Sequence, residues 1–443
     1  MIGLSRQELR FAVVISSAHF SQHVYYRILP PLIPIMAVAL DYPLWQLGIF
    51  ISLYSIGMGI FQAPLGVISD TIDRRYLLPT GLAITGVAYV VFALAPSIGT
   101  SIPSLLLFSQ HFTGPYLVMS FAMFTVGVGL AVVHPVGYPM VTDNVTPDNK
   151  GKLLGIFGAS SKVGDATAPA FIALLILVMS WDVIILFFGV TGVIYGIILY
   201  VVLSRDEFVT TPRAKRVEET SVTSEPKSEP NRRSFLYPIT VVYFFMISSM
   251  ISTRGLNTFL PAFLVAVYGY SFVVFEIQIG AASIANVYFA LLLLSGAAMQ
   301  LVFGGLVDTY DARLILLVCM AIGTVGLVTL ALVEMHPLVL FVIIVLLGAG
   351  LYGVNPARDA LISDLSPPES EGRTFGYVFT AVSLSGAPIP AVIGYLLDEI
   401  GMSYGFLIMA IGPVLAGISI AFLYSKKVYQ VDSALAESND STT

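Results

Sequence analysis

Two arginines interrupt apolar runs long enough to cross a membrane. Arg27 and Arg254 stand 227 positions apart, as do Leu29 and Leu256 and Pro34 and Pro261, so each occupies the same place in a repeated unit. A guanidinium at mid-helix costs about 2.5–3.5 kcal/mol even on lenient insertion scales, so two of them need a purpose. The planar, permanently charged fork of Arg matches carboxylate or phosphate oxygens two at a time, which Lys cannot do equally well. The pair is read as a clamp on a small anionic solute. The competing reading is that each arginine pairs with an acidic side chain or carbonyl and locks helices together.

His19, His23 and Arg27 follow one another at intervals of four, one stripe on one helix, with Tyr26 beside it. Imidazole titrates near neutrality, so His19 is a candidate for proton exchange and His23 for solute contact; a hydrogen-bonded structural role is open for both. His134, just before Pro135, is a further proton candidate, replaced by Asn355 in the second repeat. Lys162 and Asp165 lie three apart on another apolar stretch and are expected to neutralise each other until a solute engages Lys162. Asp165 would then be a buried carboxylate suited to proton coupling. The counterpart of Asp165, 221 positions on, is Gly386, so this acid belongs to one repeat only. Tyr54, Gln62, Asn257 and Asn286 are polar groups that line the path, with Tyr54 and Asn257 as candidate solute contacts, although helix-to-helix hydrogen bonding is the usual role of such groups. No metal site is expected, because no acidic or cysteine partner shares the histidine spacing, and no cofactor is implied.

These residues need a scaffold, and composition names its solvent. The chain has 443 residues, 57% hydrophobic and only 11% charged, with a mean hydropathy of +0.88. That is too apolar for a soluble chain of this length. Apolar segments of roughly 20 residues are what a helix needs to span a bilayer, and the sequence holds about twelve of them. They include Phe11 to Leu40, Leu153 to Ser180 and Pro238 to Val267. The expected fold is all-α, with twelve membrane helices in two pseudo-symmetric bundles: residues 1–204, a flexible linker over 205–237, residues 238–425, and a disordered tail over 426–443.

Arg6, Arg10, Arg74, Arg75, Lys150, Lys152, Arg313, Arg373, Lys426 and Lys427 fall on one side of this topology, and the loops of the other side carry no Lys or Arg. The positive-inside rule puts both termini in the cytoplasm of a plasma-membrane protein. The first apolar run is too long for a signal peptide and is retained. A single cysteine, Cys319, excludes an internal disulfide. The loop from Pro96 to Pro115 is 17 residues longer than its counterpart, as the spacings 75 to 129 and 313 to 350 differ, and is read as a plain loop or an interfacial cap.

The repeat is sharpest at the second loop of each half. Gly66, Asp70, Asp73 and Arg75 recur 238 positions later as Gly304, Asp308, Asp311 and Arg313. Together with six plus six helices and a basic central linker, the Gly-x-x-x-Asp-x-x-Asp-Arg-Arg loop resembles the major facilitator superfamily over nearly the whole chain. Thr71, Asp73 and Ala312 depart from that family's usual pattern. The resemblance implies parallel six-helix halves with a site between them that works by alternating access. Asp70, Asp73, Arg74, Arg75, Asp308, Asp311 and Arg313 would then be gating residues, beyond their topological role as cytoplasmic anchors.

Tyr26-Arg27 followed by Pro34, with Arg254, resembles the organic-anion branches, such as the organophosphate:phosphate antiporters and anion:cation symporters. That resemblance implies a monomeric secondary transporter of a carboxylated or phosphorylated organic anion, coupled to protons or to a counter-anion. A drug exporter of the same superfamily is the alternative, weakened by the lack of a Gly-Pro-x-x-Gly-Gly pattern in Gly158 to Ala170. A non-transporting membrane sensor is the other. No nucleophile-and-base pair points to an enzyme, and nothing points to nucleic acid; Gly127-x-Gly129 and Gly348-x-Gly350 follow no strand and are read as packing positions.

Overall fold

The computed structural model describes residues 3–107, 109–205, 207–212, 233–365, 382 and 384–424. Most of the expected linker and all of the expected tail lie outside them. Proline placement dictates the first helix, which the sequence suggested was continuous. It runs as α1 (Arg6–Tyr26), a 3-10 turn at Pro30–Leu32, and α2 (Ile33–Leu40). Pro30, Pro31 and Pro34 remove backbone donors and crowd the preceding turn, so the ladder breaks, and Arg27 is the C-cap residue at that break. Next come α3 (Leu44–Ser69) and α4 (Arg74–Ile98). The fourth membrane segment is split in the same way into α5 (Gly114–Leu130) and α6 (Val133–Asn144), with the interruption one turn before Pro135. Then follow α7 (Pro147–Leu175) and α8 (Trp181–Leu203).

The second half repeats these choices. After α9 (Arg233–Phe263) come α10 (Ala281–Val307), α11 (Ala312–Leu332), α12 (Pro337–Tyr352) and α13 (Asn355–Leu365). The break between α12 and α13 falls before Pro356, the repeat of Pro135. The last elements are α14 (Ile389–Ile400), α15 (Met402–Met409) and α16 (Ile411–Phe422). Among the described residues, ten helical stretches are long and apolar enough to cross a membrane. α7, carrying Lys150, Lys152, Lys162 and Asp165, is not one of them, although its length suffices.

Two loops expected to be irregular are β-hairpins. β1 (Leu105–Leu107) pairs antiparallel with β2 (Gln110–Phe112), and β3 (Phe272–Val274) with β4 (Ile277–Ile279). They follow the third and seventh membrane segments, both of odd number, so they lie on the side opposite the N-terminus.

The described residues form two compact units. One draws on Met1–Ser224, Asn257–Ala290 and Ala387–Glu399; the other on Glu225–Leu256, Leu291–Gly386 and Ile400–Thr443. In the first unit a cluster including Phe11, Ile15, Leu82, Met140, Leu153 and Phe157 excludes solvent completely and fixes α1 against α4, α6 and α7. Glu8 secures the ends of that packing. Its carboxylate completes a capping box with Ser5 at the start of α1 and accepts from the Thr146 backbone N–H, at 3.1 Å, at the start of α7. One anion thus serves the positive ends of two helix dipoles.

Close packing rests on glycine where helices touch backbone to backbone. A Cβ at Gly127 would run into the carbonyl oxygen of Tyr54, and one at Gly348, its repeat, into Ser295 and the Leu292 carbonyl. Both Gly-x-Gly pairs are therefore packing positions, as expected. Gly127→Ala should lower detergent-solubilised stability by about 1–3 kcal/mol through overpacking. Gly151→Ala, on the open face of α7 with nothing within 4 Å, should instead be neutral or stabilising. Thermal unfolding of the two variants checks the contrast.

Candidate functional site

The break after α1 turns Arg27 off the helix axis and toward α7. There its Nε donates to Asp165 Oδ1 at 2.7 Å, and both side chains are less than a tenth exposed. Sequence spacing paired Asp165 with Lys162; Arg27 joins them as a hydrogen-bonded partner of the carboxylate. Gly164 makes this possible, because a Cβ there would collide with the Phe20 carbonyl and His23 Cβ, so only glycine lets α7 approach α1 so closely. His23 Nδ1 lies 3.1 Å from the same Asp165 oxygen, close enough for charge contact though not aligned as a hydrogen bond. Its stripe mate His19 is buried, stacks on Phe157 and places Nδ1 2.6 Å from the Phe157 carbonyl oxygen. That contact fixes the Nδ1–H tautomer and leaves Nε2 as the acceptor.

His19 Nε2 sits 3.2 Å from His134 Nε2 on α6. The rings of His19 and His23 meet edge to face with centroids 4.9 Å apart. His134, His19, His23 and Asp165 thus form a file of four titratable groups that ends on the arginine. Sequence reading listed all four, yet could not join His134 to His19, which are 115 positions apart. Nitrogens of the three imidazoles all lie within 4.8 Å of one another, a grouping that could also take a borderline cation.

Tyr26 and Tyr54 belong to this neighbourhood. The Arg27 guanidinium carbon lies 5.0 Å from the Tyr26 ring centroid, and Tyr26 meets Tyr54 edge to face at 4.9 Å. Behind them, Tyr89 donates to the Tyr25 carbonyl at 2.6 Å, holding the last turn of α1. Asn286 is fully buried and donates to the Pro31 carbonyl, a group released by the helix break. Lys162 is half-buried on the turn preceding Asp165.

In the second repeat, Arg254 stands where Arg27 does, and its Nε lies 3.5 Å from where a Cβ on Gly386 would stand. Gly386 repeats Asp165. The same helix pair therefore approaches in both repeats, with a carboxylate beside the arginine in one and a hydrogen atom in the other. Asn257 follows one turn after Arg254, and both are half-buried.

The loop residues expected to gate are arranged locally. Asp73 caps α4 by accepting from the Arg75 backbone N–H at 3.0 Å and holds the Arg75 guanidinium; Asp311 does the same for α11 and Arg313. Burial raises the proton affinity of each carboxyl, but the bonds from Arg75 or Arg313 prevail and hold both below the usual carboxylate range. Arg74 instead makes a buried ion pair with Asp143 at 2.7 Å. The second repeat has Ala312 in place of Arg74. Asp70 and Asp308 are exposed and stand outside these pairs.

Residues 15–294 and 277–440 match the Major Facilitator Superfamily. A probable L-galactonate transporter of Escherichia coli (strain K12) is 25% identical over 164 residues, which is 37% of this chain and 32% of that protein. The chain thus aligns with about a third of that relative's length. A hexuronate transporter of Bacillus subtilis (strain 168) is 22% identical over 398 residues, covering 85% of each chain. Among solved structures, a bacterial homologue of the human lysosomal transporter Spinster superposes with a TM-score of 0.74 at 15% identity, over 97% of this chain and 99% of that one, a likeness of fold alone. With both repeats matched and twelve helical segments in the sequence, the chain belongs to the Major Facilitator Superfamily, whose members are transporters rather than enzymes.

Proposed function

We propose that this chain is a secondary transporter of small carboxylated solutes of the sugar-acid class, driven by protons that enter on Asp165. The observation that carries the proposal is the buried Arg27–Asp165 ion pair with a histidine file leading to it. While Asp165 is ionised it occupies the guanidinium, and the pair is electrically neutral. A proton arriving through His134, His19 and His23 removes the carboxylate charge and leaves Arg27 to take a new anion. A solute carboxylate then replaces the internal one, so the buried charge never goes uncompensated. Loss of the proton recaptures Arg27 and expels the solute. Proton and anion are thereby obliged to travel together, which is symport.

The solute class is supported by the guanidinium chemistry and by two relatives whose names specify L-galactonate and hexuronate transport. Tyr26 and Tyr54 offer the aromatic and hydroxyl surface that a sugar acid would need beside its carboxylate. Arg254 and Asn257 are the solute candidates of the second repeat, and Lys162 adds positive charge near Asp165. His23, first read as a solute contact, takes a proton-relay role because it borders the Asp165 oxygen rather than standing apart from it. The plasma-membrane location with both termini cytoplasmic and the monomeric state belong to the same proposal.

In proteoliposomes with a pH gradient, the protein should accumulate galacturonate or L-galactonate and ignore the neutral sugar xylose. Arg27→Lys removes a bidentate, charge-assisted contact worth about 1.5–3 kcal/mol, so anion affinity should fall roughly ten- to a hundredfold. Unchanged affinity would remove Arg27 from the binding site. Asp165→Asn mimics the protonated acid: it should bind the anion without pH dependence and support anion exchange, but no longer concentrate it. Gradient-driven accumulation surviving in this variant would contradict the coupling role.

A further inference from the structure

The two hairpins carry the wrong pattern for ribbons in water. In β1–β2, Leu105 faces Phe112, Leu106 faces His111 and Leu107 faces Gln110; in β3–β4, Phe272 faces Ile279, Val273 faces Gln278 and Val274 faces Ile277. Because strand side chains alternate, Phe272, Val274, Ile277 and Ile279 share one face, and Leu105, Leu107 and Phe112 share the corresponding face of the first hairpin. None of these residues is buried by the protein, and Ile277 on the apolar face is 59% exposed. A two-stranded ribbon is marginal in water even with its apolar face covered.

The tip of the second hairpin is odder still. Phe275 and Glu276 both have positive φ, at 47° and 65°, a pair of left-handed positions that Asn-Gly would fill with less strain. Phe275 is nonetheless 94% exposed. A bulky aromatic held in a disfavoured backbone conformation, with no protein contact to compensate, points to contact with something else.

Three observations identify that something as lipid. Exposed apolar side chains recur from the membrane helix α4, at Val87, Leu94, Ile98 and Ile102, to Leu105. No Lys or Arg occurs anywhere in 96–115 or 269–280. The hairpin bases carry the aromatic residues that favour the membrane–water boundary: Trp45 against Phe112 at 6.0 Å, Phe112 against Tyr116 at 5.2 Å, and Tyr268 against Tyr270 at 5.6 Å. Depth is limited by the backbone. A two-stranded ribbon has open edges, which cannot enter hydrocarbon but are satisfied by water among lipid headgroups.

We propose that both hairpins lie in the headgroup layer of the bilayer leaflet opposite the N-terminus, apolar face down, as lipid-docking ribbons at the ends of the third and seventh membrane segments. Gln278 and Glu276 then point toward water while Phe275 reaches the upper acyl chains.

The test is spin-label depth in vesicles of phosphatidylcholine and phosphatidylglycerol. Single cysteines are placed by Val274→Cys, Phe275→Cys, Gln278→Cys and Leu107→Cys in the full chain; the native Cys319 is buried. Labels at 107, 274 and 275 should show collision rates with oxygen several-fold above those with a water-soluble nickel chelate, and the label at 278 should show the reverse. Chelate-dominated collisions at 107, 274 and 275 would overturn the proposal and leave the hairpins in solvent. Concentration-dependent dipolar broadening at those positions would also overturn it, by showing that a second copy covers them. All four sites are exposed, and uptake by the unlabelled variants verifies that the fold is intact.

Discussion

One buried ion pair organises the first unit. Arg27 and Asp165 come from segments 138 positions apart and meet at 2.7 Å with almost no solvent access. Neither charge is stable alone in such surroundings, and removing one partner of a buried pair typically costs about 3–5 kcal/mol. Three structural features exist to let them meet: the proline-driven break that turns Arg27 aside, the glycine at 164 that brings α7 against α1, and Tyr89 holding the last turn of α1 from behind. A pair this expensive to break ties α1 to α7, and its neutralisation by one proton is the step on which the proposed coupling rests.

The repeat makes the point by contrast. Arg254 stands in the position of Arg27, but Gly386 stands in the position of Asp165, and that glycine lies beside the arginine side chain. Likewise Arg74–Asp143 is a buried pair in the first repeat, whereas Ala312 replaces its arginine in the second. The duplicated scaffold has kept its helix breaks and glycine contacts and has lost the acid and the base that would make the halves equivalent. Among the described residues, the buried ion pairs Arg27–Asp165 and Arg74–Asp143 both belong to the first repeat.

Much of this was legible in the sequence because it is periodic or punctuated. Repeat spacing gave the doubled architecture, apolar length gave the membrane segments, and the four-residue interval gave the His19–His23–Arg27 stripe. What escaped was set by contacts between distant segments. Spacing along one helix offered Lys162 as a partner of Asp165, and nothing local could announce that Gly164 lets Arg27 reach the same carboxylate. The break at Pro30 and Pro31 was visible as prolines yet read through, since the apolar run continues to Leu40. The hairpins were missed because Phe275-Glu276 has no turn chemistry and Leu105 to Leu107 lacks alternation; their pattern suits a boundary between solvents rather than water.

The most direct measurement is proton uptake by the purified protein as galacturonate binds, followed in weakly buffered solution near neutral pH. The exchange of one carboxylate for another on Arg27 predicts uptake of about one proton per anion bound in the unaltered chain and none in Asp165→Asn. Anion binding without proton uptake in the unaltered chain would contradict it and return the ion pair to a purely structural role.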